Sequence, residues 1–93
     1  MEKITFNNTD FLAGKIVLAG INILLINAEK GSLGCAYLNL AAAEKFGHAL
    51  ATVSGVSSYD DMFNAEVKSV STAAAALGVR AGMTGFEALQ LMN

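Results

Sequence analysis

The spacing of apolar residues changes several times along the chain, and each change marks an element. Ile4 and Phe6 alternate with Lys3, Thr5 and Asn7, the period-two pattern of a strand with one covered face. A polar turn at Asn8 to Asp10 leads into a second strand, Phe11 to Leu18, and Ala19-Gly20 supplies the next turn. Ile21 to Asn27 predicts a third strand. Its unbroken run Ile23-Leu24-Leu25-Ile26 predicts cover on both faces and a central place in the sheet. After the turn residues Glu29 to Ser32, Leu33 to Leu38 predicts a fourth strand. Links this short favour antiparallel neighbours.

From Asn39 the period lengthens. Asn39 predicts an N-cap, its side-chain oxygen accepting from a free backbone N–H, for a helix from Leu40 to Phe46 that Gly47 ends. His48 to Val53 reads as a fifth strand closed by Gly55. Tyr59 to Phe63 reads as one helical turn, with Asp60 and Asp61 at its favourable end. Val67 and Val70 suit a last strand, and Ala73 to Leu77 a short helix stopped by Gly78. Thr84 and Glu87 have capping-box spacing and open a helix to Met92, with Phe86, Leu89 and Met92 at intervals of three. The pattern predicts one α+β domain over residues 1–93, a mixed, mainly antiparallel sheet of about five to six strands, with a mid-chain helix and two C-terminal helices.

Composition changes this picture in one respect. Of the 93 residues, 54% are hydrophobic and 15% charged, where soluble domains carry about 25% charged residues. A small domain has too little interior to hide such a surplus, so self-association or another protein or small-molecule partner is expected. The two-faced strand Ile23 to Ile26 and the alanine-rich helix Ala73 to Leu77 are where extra cover is expected. A net charge of -2 with scattered Lys and Arg argues against nucleic acid. The apolar stretch Ile16 to Ile26 is too short for a membrane span. The first residues lack the basic-then-apolar layout of a secretory signal, and the single cysteine agrees with a reducing compartment, so a cytoplasmic location is expected.

Few residues suggest chemistry. Cys35 precedes the helix cap by four positions, which could bring its thiol near a positive helix end and make it a nucleophile, with His48, the sole histidine, as a catalytic partner. The bland reading makes Cys35 a small buried hydrophobe. Arg80, Gly82 and Thr84 lead into the last helix, whose free N–H groups could receive an anionic metabolite, though Glu87 competes for the same donors. Asp60 and Asp61 are adjacent and diverge on a helix, a poor acid–base pair. CxxC, HExxH, GxGxxG, Walker and GxSxG patterns are all missing, and one Cys with one His makes no dedicated metal site; no cofactor is expected.

Two stretches resemble a known family. Ser69 to Leu89, containing Gly82-Met83-Thr84-Gly85-Phe86-Glu87-Ala88-Leu89, and Gly31 to Ala41, containing Gly34-Cys35-Ala36-Tyr37-Leu38-Asn39, are similar to the YunC-like family, a domain of unknown function numbered 1805. The resemblance implies a mainly antiparallel mixed sheet with middle and C-terminal helices, and it implies no activity. It places Cys35 and Asn39 on the family's cysteine and Asn/Asp positions, and Ala36 where glycine is frequent. Three functions remain open: a non-enzymatic homo-oligomeric binding or assembly module, a thiol-dependent or redox-responsive protein using Cys35, and an anionic-metabolite binder with Asn39, Arg80, Gly82 and Thr84 as ligand-binding candidates.

Overall fold

Each of the expected strands forms, and the computed structural model describes all residues from Met1 to Asn93. The chain runs β1 (Glu2–Phe6), β2 (Thr9–Leu18), β3 (Ile21–Asn27), β4 (Ser32–Cys35), α1 (Leu40–Phe46), β5 (Leu50–Val53), α2 (Tyr59–Asn64), β6 (Ser69–Val70), α3 (Thr72–Ala76) and α4 (Gly85–Leu91). The six strands make one sheet in sequence order, and the architecture is α+β. All pairings are antiparallel except β4 with β5, which are parallel. That exception has a simple cause. The α1 helix carries the chain back along the sheet, so β5 starts at the same end as β4. Short links from β1 to β4 give the expected antiparallel neighbours, and β6 pairs antiparallel with β5 after the longer path through α2.

Boundaries shift where local chemistry outweighs the apolar pattern. The first turn is Asn7-Asn8, both with positive φ (49° and 63°), as a two-residue hairpin requires, so β2 starts at Thr9. The fourth strand stops at Cys35 rather than Leu38, because Leu38 N–H folds back to Cys35 O at 3.0 Å and its side chain lies over Gly34. His48 and Ala49 precede β5, and Val67 N–H donates to Met83 O at 2.8 Å instead of joining β6. The helical turn at Tyr59 is a six-residue helix, capped by Ser58.

The core lies between one face of the sheet and helices α2 and α4. Phe6 stacks on Phe63 with centroids 4.2 Å apart, and Phe11 and Phe86 close the cluster in edge contacts. Strand alternation places Ile4, Phe6, Phe11, Ala13, Leu24, Ile26, Leu33 and Val53 on this face. Cover thins from one side of the sheet to the other. Every residue of β4 and β5 is buried, so both their faces are covered. The expected two-sided cover of the third strand is incomplete: Leu24 and Ile26 are buried, Ile23 and Leu25 half-buried, and Ile21 exposed. In the alanine helix, Ala74 packs fully into the core.

Candidate functional site

The apolar surplus collects on the hairpin of β2 and β3. β1 ends its pairing at Glu2 with Ala13, and β4 ends its pairing at Gly34 with Leu25. Beyond these limits the hairpin projects as a two-stranded ribbon, Gly14–Leu18 against Ile21–Leu24, with no strand on either side. Eight consecutive residues, Lys15 to Asn22, are exposed. Among them Val17 is 68%, Ile16 59%, Leu18 49% and Ile21 37% accessible, and Leu12 at the ribbon's base is 51%. Ile16, Leu18, Ile21 and Leu12 share the face turned away from α2 and α4, and Val17 takes the other. Lys15 is the ribbon's one charged side chain. An isolated hairpin is marginally stable in water, and bare apolar edges invite pairing.

An open hollow of ≈650 Å³ adjoins the ribbon where β1 ends. Ile16, Ile23, Leu25 and Leu38 form its apolar wall, and Lys15 and Tyr59 approach from the opposite face of the sheet. Partial burial, then the Glu2 carboxylate, raises the Tyr59 phenol above its ordinary value. No comparable charge lines the apolar wall.

The residues singled out for chemistry are placed apart. Cys35 is buried, on the helix-covered face with Leu33 and Val53, and its Sγ accepts from Leu24 N–H at 3.4 Å. His48 is exposed, and its ring meets Ser32, which alternation places on the other face of β4. The fold does not bring the thiol and imidazole together. Ser32 Oγ donates its proton to Asn27 Oδ1 at 2.6 Å, so the 3.2 Å contact with His48 Nε2 is one in which the ring donates. A serine nucleophile needs the ring to take its proton instead. Spacing gave no warning of this cluster, since His48 lies 16 residues from Ser32 in sequence.

Asn39 caps α1, accepting from Ala41 N–H at 2.8 Å. Three of the donors entering α4 are also occupied. Thr84 N–H donates to Glu87 Oε1, Gly85 N–H to Ala65 O and Glu87 N–H to Thr84 Oγ1. Gly82, at φ 97°, sends its N–H to Val67 O, and Arg80 is exposed. No three His, Cys, Asp or Glu side chains converge as a metal site needs. No helix is long and apolar enough to cross a membrane.

Comparison with known proteins places this geometry. Residues 34–92, from the end of β4 through α4, match the family described as "Domain of unknown function (DUF1805)". The chain belongs to that family. Among solved structures it is similar to the crystal structure of TA1206, a protein of unknown function from Thermoplasma acidophilum. The two are 27% identical with a TM-score of 0.90, over 99% of this chain and 90% of the other. No curated protein matches. The family match spans Cys35, Asn39, His48 and the Arg80–Glu87 segment, whereas the ribbon of β2 and β3 lies before it. The structural likeness, by contrast, extends over nearly the whole chain.

Proposed function

We propose that this DUF1805 domain is a non-enzymatic, cytoplasmic assembly module that self-associates through the ribbon of β2 and β3. The observation that carries the reading is the ribbon itself: eight successive exposed residues with Ile16, Val17, Leu18 and Ile21 among them, on strands that outrun both neighbours. Isolated apolar residues on a surface need no explanation, but a contiguous stripe on a projecting hairpin does. A second copy supplies what the stripe lacks, an equally apolar and nearly uncharged surface. The net charge of -2 puts little repulsion between copies.

The remaining chemistry agrees with this assignment. The buried Cys35 thiol, the Asn39 cap and the Thr84–Glu87 capping box each have intramolecular partners that account for their residue type. Substituting Leu18→Lys and Ile21→Lys together tests the reading. Both side chains are already in water, so the fold should be retained by circular dichroism while association falls at least tenfold. An unchanged association constant would remove the ribbon from the interface.

A further inference from the structure

We draw no further inference here: the strongest candidate, the open hollow beside the end of β1, whose apolar wall lies on one face of the sheet while Glu2 and Lys15 stand on the other, carries nothing, because those two side chains oppose each other in charge and nothing in the structure shows what covers the wall.

Discussion

Gly85 offers a test in which two established effects of a glycine substitution oppose each other. As the first residue of α4, it donates its N–H to Ala65 O at 2.9 Å, and Glu66 bridges Thr84 beside it, so the helix begins against the end of α2. A methyl group here would overlap the Met62 carbonyl oxygen and lie 2.7 Å from Leu33 Cδ2. Its φ is not in the left-handed region, so alanine is conformationally acceptable there. Taken alone, Gly→Ala at such a site stabilises by about 0.4–1 kcal/mol through the unfolded chain. Overpacking costs about 1–3 kcal/mol, and it falls at the upper end when the obstacle is backbone. The balance is a loss of about 2 kcal/mol, or roughly 8–16 °C in Tm for a domain of this size. Gly34→Ala is the control, because its methyl would overlap only Leu38 Cδ1, the far end of a side chain that can rotate aside. Urea denaturation of both variants measures the difference. A Gly85→Ala protein as stable as wild type would refute the close approach of α4 to α2 and, with it, this account of the second glycine in Gly-Met-Thr-Gly.

Three further outcomes are expected. Ser71 Oγ accepts from Leu50 N–H and Ala74 N–H and donates to His48 O, fully buried, so Ser71→Ala should cost about 2–4 kcal/mol in urea unfolding through a lost cap and an orphaned donor. Glu44 accepts from Thr72 Oγ1 and Thr72 N–H, and these bonds hold its carboxyl below the ordinary value. Its stabilising contribution is therefore complete above the ordinary carboxylate range and lost as pH falls through the lowered folded value. Glu44→Gln should lower Tm at neutral pH, with the gap closing on acidification; a gap independent of pH would contradict the carboxylate's role. Cys35 should react with iodoacetamide far more slowly in the folded protein than in urea, and equal rates would contradict its burial beneath the sheet.

The elements legible in sequence were those whose signal is local. The period-two runs of β2 and β3, the Asn39 cap and the Thr84–Glu87 box each depend on residues a few positions apart, and each appears where its pattern points. Tyr37 and Leu38 extend the apolar pattern of β4, but the chain turns back so that Leu38 lies over Gly34, a contact that spacing cannot express. The parallel pairing of β4 and β5 likewise arises from the path through α1 rather than from either strand's composition. Apolar excess was visible as a total, yet its position was not. Ile23-Leu24-Leu25-Ile26 looks like the place needing cover, whereas the contiguous exposed run is formed by its neighbours Ile16, Val17 and Leu18, because exposure there depends on where β1 and β4 stop. Among the chemical candidates, proximity in sequence suggested Cys35 with Asn39 or His48. The sheet instead turns Cys35 toward Leu24 and gives His48 to Ser32.

The central claim, that the ribbon is an interface between copies, is tested most directly by the mass of the wild-type protein in solution. Light scattering coupled to size exclusion at tens of micromolar should give twice the chain mass of 9.6 kDa. A single species at 9.6 kDa, unchanged as concentration rises to the millimolar range, would contradict it.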